Sequence, residues 1–159
     1  MKKMIDFLLF STPTKDQRVA LEGMEQFVQA VNEEDFLILK GAAGTGKTSM
    51  ISALVAYLNT NKIPYKIAAP TGRAARIISK KTNSHASTVH AMIFVPEQDV
   101  KNGGVKFKLK IPKDEQPTVY IVDESSMIPS EDSHESQLHN ENIDLLTALI
   151  SYVKGGNEK

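Results

Sequence analysis

A glycine-rich segment that contains a lysine and a hydroxyl residue carries the clearest chemistry in this sequence. It matches the phosphate-binding loop pattern G-x-x-x-x-G-K-[ST] at every fixed position, and its residues are Gly41, Ala42, Ala43, Gly44, Thr45, Gly46, Lys47 and Thr48. Glycines let the backbone wrap closely and aim its N–H groups at phosphate oxygens. In such a loop Lys47 neutralises the β- and γ-phosphates and acts in catalysis, while Thr48 places its hydroxyl on Mg²⁺. The segment predicts that the chain binds a nucleotide with Mg²⁺; the simpler alternative is a glycine-rich turn followed by an exposed lysine.

Two adjacent carboxylates, Asp123 and Glu124, follow the apolar run 119–122. The carboxyl end of a buried parallel strand is where α/β sheets bind ligands. At this position Asp123 would hold Mg²⁺, usually through water, and Glu124 would activate the attacking water as a general base. Taken alone, the pair is more simply explained as a cap on the next helix. Beside a phosphate-binding loop, the metal and base roles are favoured.

Strands and helices must position these residues, and the hydrophobic pattern indicates which ones. Thr14 and Gln17 fit a capping box that starts an amphipathic helix reaching to about Val31. The apolar run 36–39 predicts a strand buried on both faces of a parallel sheet, directly before the loop. Further strands are predicted at 65–69 and 119–122, with helices after the loop, at 73–80 and at 143–153. Strands that alternate with helices predict an α/β fold, a parallel sheet flanked by helices.

The periodicity changes between residues 92 and 117, where apolar residues alternate with Lys106, Lys108 and Lys110 after Asn102-Gly103-Gly104. This pattern predicts an inserted β-hairpin with one basic face. The segment 129–142 is polar and without a period, and it predicts a mobile loop. Only about three parallel strands are visible, and an incomplete sheet exposes an edge that proteins normally cover. We therefore expect an incomplete domain.

The composition limits the class of protein. A chain of 159 residues favours one domain, and 19 basic against 19 acidic residues argue against a polybasic binder without excluding a local basic strip. No cysteine is present, which excludes disulfides and thiolate metal sites. The start resembles a signal peptide, but its apolar part is short, contains Asp6 and lacks a cleavage pattern. No stretch approaches the ~20 apolar residues of a membrane span. We expect a soluble, cytoplasmic protein without a membrane partner.

Four segments follow one another along the chain: the loop 41–48, the run APTGRAA at 69–75, the run ASTVH at 86–90 and the run DESS at 123–126. In this order they resemble the motifs of superfamily 1 DNA helicases. The resemblance is closest to the RecD-like branch, whose members move 5′→3′ on single-stranded DNA, and it extends from about residue 14 to residue 128. It implies that residues 1–159 are a fragment of an N-terminal RecA-like, P-loop NTPase domain that binds ATP, with an inserted hairpin subdomain at 92–117.

The resemblance also implies roles for individual residues. Gln17 corresponds to a glutamine that reads the adenine edge, although completing the capping box is the simpler alternative. Thr71 and Arg73 fall in a motif that grips single-stranded DNA, and a hydroxyl and a guanidinium at a strand–helix junction suit a phosphate. Thr88 and His90 match the next DNA-side motif, with a structural hydrogen bond as the alternative for His90.

The hairpin falls where related helicases insert a small β-rich subdomain that helps to part the duplex. Its apolar tip would be presented by Phe94, Pro96 or Phe107, and its three lysines would face the DNA backbone. Lysines on an edge hairpin also occur simply as a solvated face, so this role remains open.

The sequence departs from the family in two respects. Ser125 stands where alanine is more usual, which is a minor difference. More important, a Gly-Asp…Gln motif and the second RecA-like domain, whose arginines act on the transition state, do not occur in these 159 residues. We therefore expect that the chain alone does not unwind DNA and that its hydrolysis is slower by ~10³-fold or more. Two other functions remain open: a P-loop ATPase of another DNA-processing machine, such as a packaging or loader ATPase, and a non-catalytic module that binds nucleotide or DNA and regulates a partner.

Overall fold

The structure is a computed structural model that describes residues 2–9, 12–30, 36–98, 105–128 and 144–157. The chain divides into two compact units. The first comprises Met1–Pro64 and Ile78–Ser84, and the second comprises Tyr65–Ile77 and His85–Lys159. Helices and the phosphate-binding loop make up the first unit, whereas the second contains a parallel sheet.

The first unit is built from a 3₁₀ helix at Met4–Phe7 and two α-helices, α1 (Lys15–Gln29) and α2 (Lys47–Thr60). Helix α1 begins at the capping box that the sequence predicts. The Thr14 hydroxyl accepts a hydrogen bond from the Gln17 backbone at 3.2 Å, and the Gln17 side-chain oxygen accepts one from the Thr14 backbone at 2.9 Å. Two N–H groups that no helical carbonyl can reach are thereby satisfied.

Apolar side chains join these three helices. Helix α2 is predominantly apolar and buries residues on more than one face, among them Ala53, Val55, Tyr57 and Leu58. The ring of Tyr57 meets the ring of Phe7 edge to face, with their centroids 6.2 Å apart. Met4 is completely buried, and its backbone N–H donates to the Glu25 carboxylate at 2.9 Å. The 3₁₀ helix at the N-terminus is therefore packed into the core of this unit.

The prediction of a strand directly before the phosphate-binding loop is wrong. Residues 36–40 form no strand in the described part of the chain, and Phe36 and Ile38 are 54% and 72% exposed. An apolar run predicts that a segment tends to be buried, but a strand exists only where a neighbouring strand supplies hydrogen bonds. The described residues provide no such neighbour for this segment.

The second unit is built on three parallel strands with two further strands in a hairpin. In chain order the strands are β1 (Tyr65–Ala69), β2 (Ala86–Thr88), β3 (Phe94–Gln98), β4 (Val105–Leu109) and β5 (Val119–Val122). The parallel sheet has the order β2-β1-β5, which confirms the α/β fold and the strands predicted at 65–69 and 119–122. Strand β2 was not predicted, because three residues are too few to show a period.

Three helices belong to this unit: α3 (Gly72–Thr82), whose last residues lie in the first unit, α4 (Val89–Ile93) and α5 (Leu145–Asn157). Apolar residues of β1, α4 and α5 form one buried cluster: Ala68, Val89, Met92, Ile93, Leu145, Ala148, Leu149 and Tyr152. The predicted hairpin is confirmed by the antiparallel pairing of β3 with β4. The turn at 102–104 and the loop at 129–142 lie outside the described residues. No helix in the described ranges is long and apolar enough to cross a membrane.

A polar cluster that the sequence did not reveal fixes the segment between β4 and β5. The Lys66 ammonium on β1 lies 2.6 Å from the Asp114 carboxylate and 5.3 and 5.7 Å from the ring centres of Tyr120 and Tyr152. Burial lowers the pKa of Lys66, but the hydrogen bond to Asp114 and the neighbouring negative charge outweigh it, so the pKa is raised. Burial, followed by the hydrogen bond to Asp114, raises the pKa of Tyr120. Lys66 is therefore charged and Tyr120 neutral at pH 7, and together they hold Asp114 against the sheet.

The N-terminus of α5 should make the stability of the fold depend on pH. Asp144 accepts hydrogen bonds from the Thr147 hydroxyl at 2.7 Å and from the Thr147 backbone at 2.9 Å, and these bonds lower the pKa of Asp144. An ordinary aspartate has a pKa of about 3.9. Stabilisation by Asp144 is therefore fully present above about pH 4 and is lost as the pH falls through the lowered pKa.

We expect Asp144→Ala to lower the free energy of unfolding at pH 7 by about 1 kcal/mol, the usual contribution of an N-cap. Asp144→Asn keeps an accepting oxygen, so it should cost less at pH 7 and should flatten the loss of stability in acid. Urea unfolding at several pH values measures both effects, and the exposed Glu115→Gln serves as the control. An unchanged acid profile in Asp144→Asn would contradict this assignment.

Candidate nucleotide and nucleic-acid site

The phosphate-binding loop, residues 41–48, leads directly into α2, which begins at Lys47. Gly46 occupies the N-cap position with a φ of 87°, a conformation that side chains with a Cβ rarely adopt. At Gly41 a Cβ would lie only 2.7 Å from the Thr45 hydroxyl. The backbone conformation therefore favours glycine at position 46, and at position 41 a larger residue would have to displace the Thr45 side chain.

The Lys47 side chain folds back over the start of the loop. Its ammonium donates to the carbonyl of Gly41 at 2.7 Å and to that of Ala42 at 2.9 Å, while the Thr45 hydroxyl donates to Ala42 at 2.8 Å. A positive charge therefore lies beside the N-terminus of α2, where the unpaired N–H groups of a helix attract anions. Residues 41–45 are exposed, so an anion from solvent can reach them.

Gln17 contacts the loop from the first turn of α1. Its side-chain amide nitrogen donates to the Thr45 carbonyl at 3.0 Å, while its side-chain oxygen serves the capping box. The structure therefore confirms that Gln17 completes the capping box. Its predicted contact with adenine stays a prediction.

The three parallel strands end at one edge of the sheet, which we call the carboxyl edge. Ala69 of β1 is aligned with Thr88 of β2, and Ala68 of β1 with Val122 of β5. The Asp123 backbone N–H continues this ladder by donating to the Ala68 carbonyl at 3.0 Å. Residues 70–73, 88–90 and 123–124 all follow these strand ends. The second unit thus gathers at one edge the site residues that the sequence predicts from three separate motifs.

The two carboxylates of the DE pair differ in their surroundings. Asp123 is half-buried, and its side chain accepts the Glu124 backbone N–H at 3.1 Å. Glu124 is exposed and adopts a left-handed conformation, with φ 55° and ψ 34°. This conformation costs a residue other than glycine roughly 1–2 kcal/mol and tends to occur at functional sites. Glu124 makes no side-chain hydrogen bond to the 3₁₀ helix Ser125–Met127 that follows it, so capping does not account for its carboxylate.

Comparison with known proteins identifies the family. A model of the AAA domain matches residues 24–138. The chain belongs to the AAA domain family. It is also similar to the ATP-dependent DNA helicase dda of Enterobacteria phage T4, with 29% identity over 102 residues, and to the ATP-dependent RecD2 DNA helicase of Deinococcus radiodurans, with 27% identity over 122 residues.

These alignments cover 63% and 75% of the chain but only 23% and 16% of the two helicases. No solved structure matches the chain significantly. Together with the family match, the two helicases confirm the resemblance to the RecD-like branch of superfamily 1.

At the carboxyl edge, the two threonines that the resemblance assigns to DNA contacts are both helix N-caps. The Thr71 hydroxyl accepts the Ala74 backbone N–H at 3.2 Å, and the Thr88 hydroxyl accepts the Ala91 backbone N–H at 3.1 Å. Each hydroxyl still has its own proton to donate. Two of the three helices therefore begin at the carboxyl edge with a hydroxyl, and Arg73 is exposed in the first turn of α3. His90 is exposed, and its ring lies 5.8 Å from the ring of Phe94.

The hairpin of the AAA domain separates a basic face from an apolar face. Pairing aligns Phe107 with Pro96 on one face, and Lys106 with Glu97 and Lys108 with Val95 on the other. Phe107 lies in the middle of β4 and is 49% exposed, so it belongs to the open apolar face; the tip itself lies outside the described residues. Glu97 opposite Lys106 reduces the positive charge of the basic face. The third predicted lysine, Lys110, does not extend this face, because its ammonium donates to the Ala91 carbonyl at 2.6 Å.

The donor atoms available for a metal fit Mg²⁺. Thr48 offers a hydroxyl in the first turn of α2, and Asp123 offers a carboxylate. Mg²⁺ prefers oxygen ligands and is usually bound by one or two carboxylates together with phosphates and waters. Within the described ranges, no group of three or more His, Asp or Glu side chains is placed to hold a metal by itself. Each of these two donors, one in either unit, is therefore of the chemical type that a phosphate-bound Mg²⁺ accepts.

Proposed function

We propose that this chain is the ATP-binding part of a RecD-like DNA helicase motor. The observation that carries the proposal is the phosphate-binding loop, in which Gly46 adopts a φ of 87° at the start of α2 and Gly41 lies directly against the Thr45 side chain. Both relatives described above are ATP-dependent DNA helicases, which supports the proposal. In this proposal the chain works within a longer protein that hydrolyses ATP, moves on single-stranded DNA and unwinds duplex, and a second RecA-like domain of that protein is its partner.

At the nucleotide, residues 41–46 donate backbone N–H groups to the phosphates, and Lys47 neutralises the β- and γ-phosphates. Thr48 and Asp123 would hold Mg²⁺, and the metal would supply positive charge against the negative charge of the terminal phosphate. Glu124 accepts a proton from the attacking water. Its exposure and the absence of a capping bond leave its carboxylate available for this role.

Single-stranded DNA binds at the carboxyl edge in this proposal. Thr71 and Thr88 donate their hydroxyl protons to phosphate oxygens, and the helix N-termini that they cap add a positive end. Arg73 supplies a full charge beside Thr71, and the exposed His90 contributes a further donor. A row of such donors on adjacent strands suits the repeating phosphates of a nucleic-acid backbone.

Reversal of the Arg73 charge should weaken the binding of DNA. We expect Arg73→Glu to lower the affinity for oligo-dT roughly tenfold at 0.1 M salt, as the loss of one charged hydrogen bond implies. The dependence of log K on log salt should become less steep by ~0.7, the value for one phosphate contact on a single strand. Fluorescence anisotropy across a salt series measures both quantities.

Lys81→Glu is the matched control, because it makes the same change of charge at an exposed position at the other end of α3. Equal affinities of the Arg73 and Lys81 variants would place the DNA surface elsewhere. The same titration with and without Mg-ATP tests the motor itself. DNA binding that responds to nucleotide is the expected result, and indifference to DNA would favour a P-loop ATPase of another kind.

A further inference from the structure

The Gln17 side chain connects the N-terminus of α1 to the phosphate-binding loop. Its amide oxygen is held by the Thr14 backbone N–H at 2.9 Å, and its amide nitrogen donates to the Thr45 carbonyl at 3.0 Å. Because the amide group is planar, fixing the oxygen also fixes the direction in which the nitrogen donates. The capping box thus orients a hydrogen bond that spans 28 residues of sequence.

The carbonyl that Gln17 holds belongs to the peptide bond between Thr45 and Gly46. In a trans peptide, the C=O and the N–H point in opposite directions, so the Gly46 N–H points away from Gln17. A Cβ at Gly46 would lie 2.9 Å from the Gln17 amide nitrogen, which shows how closely the side chain covers this peptide. On its other side, the Thr45 hydroxyl is bonded to the Ala42 carbonyl at 2.8 Å. Thr45 is therefore held from two directions.

We propose that Gln17 is a positioning residue for the phosphate-binding loop. By holding the Thr45 carbonyl outward, it keeps the Gly46 N–H aimed at the bound phosphates, whatever base the nucleotide carries. This inference rests on the proposed nucleotide binding and assigns to Gln17 a role distinct from reading the base. The amide oxygen and the amide nitrogen each retain one further hydrogen-bonding position, so Gln17 could contact a base as well as the loop. The two roles are therefore distinguished by which ligands lose affinity when Gln17 is replaced.

The test compares ligands that share phosphates but differ in the base. Mg-ATP, Mg-GTP and Mg-tripolyphosphate are titrated calorimetrically against the wild-type chain and Gln17→Ala. We expect the affinity to fall about five- to tenfold for all three ligands, the effect of one hydrogen bond. In ¹⁵N-resolved NMR spectra recorded without nucleotide, the backbone signals of residues 45–47 should also shift.

Thr14→Ala is the matched control. It removes the hydroxyl of the capping box but leaves the Thr14 backbone N–H and the Gln17 side chain in place. It should lower the stability of the chain and leave the three affinities unchanged, which separates positioning from helix stability. If Gln17→Ala does not fold, the three ligands are titrated against Gln17→Glu instead, because this variant keeps the oxygen of the capping box and removes the N–H that donates to Thr45.

The possible outcomes are distinct. A loss confined to Mg-ATP would make Gln17 a base reader and overturn the positioning role, and so would unchanged affinities for all three ligands. An equal loss of affinity in Thr14→Ala and Gln17→Ala would mean that the effect comes from the stability of α1, and this result would also overturn the positioning role. If the wild-type chain binds none of the three ligands, the proposed nucleotide binding itself fails, and the role of Gln17 fails with it.

Discussion

Replacement of Lys47 by alanine is expected to lower the affinity for Mg-ATP by at least about 100-fold. Hydrogen bonds to charged groups contribute about 1.5–3 kcal/mol each, and in the proposed site Lys47 makes one to the β- and one to the γ-phosphate. The two together correspond to roughly 10²- to 10⁴-fold in affinity. Isothermal titration calorimetry with Mg-ATP measures the change.

The fold should survive this substitution. In the structure the Lys47 ammonium donates to the carbonyls of Gly41 and Ala42, and both residues are exposed, so water can replace it. Alanine is also favourable at the start of a helix. Lys40→Ala is the matched control, because it removes the same charge from an exposed position directly before the loop. If Lys47→Ala keeps its affinity, the phosphate-binding assignment is wrong.

Glu124→Gln should retain Mg-ATP and lose turnover. A positioned general base contributes typically 10²–10⁴-fold to a rate, and glutamine cannot accept the proton of the attacking water. Since the resemblance implies slow hydrolysis by the chain alone, phosphate release is followed over hours at saturating Mg-ATP with oligo-dT present. We expect the rate to fall by about 100-fold or more, to the background of the assay.

The affinity of this variant for Mg-ATP should stay within a few-fold of the wild type, because residues 41–48 and Asp123 are unchanged. Glutamine has the same shape as glutamate and carries the same left-handed backbone at φ 55°, so a loss of rate reports chemistry and not a new conformation. Glu115→Gln removes an exposed carboxylate from the same unit and serves as the control. Normal phosphate release in Glu124→Gln would exclude Glu124 as the base.

Features that depend on a few neighbouring residues were predicted from the sequence. The capping box of α1 joins residues three positions apart, and Gly46 satisfies a local backbone demand through its positive φ. Strands β1 and β5 were predicted from compact apolar runs, and the hairpin from its alternation. For the cap, the loop and the hairpin, the signal and the interaction lie within one segment, so the sequence contains both; for β1 and β5 only the signal is local, because these strands pair with each other across a long stretch of sequence.

The hydrophobic pattern by itself does not predict whether a strand forms where its formation depends on a distant partner. Residues 36–39 are at least as apolar as β5, yet they form no strand, whereas the three residues of β2 do. Strand β2 exists because Ala86, Ser87 and Thr88 are aligned with β1, some twenty residues earlier in the chain. Hydrogen bonding between parallel strands depends on a partner that is distant in sequence, and a hydrophobic pattern does not identify the partner.

The sequence by itself determined the chemistry that residues 41–48 offer, the cap that starts α1 and the α/β class, because each follows from residue types at short spacing. Only the tertiary structure decided that β1, β2 and β5 end together, so that Thr71, Thr88 and Asp123 share the carboxyl edge. It also decided that the Gln17 amide reaches Thr45 and that Lys66 meets Asp114, across 28 and 48 residues of sequence. These contacts form when packing brings distant segments together, and no local pattern encodes them.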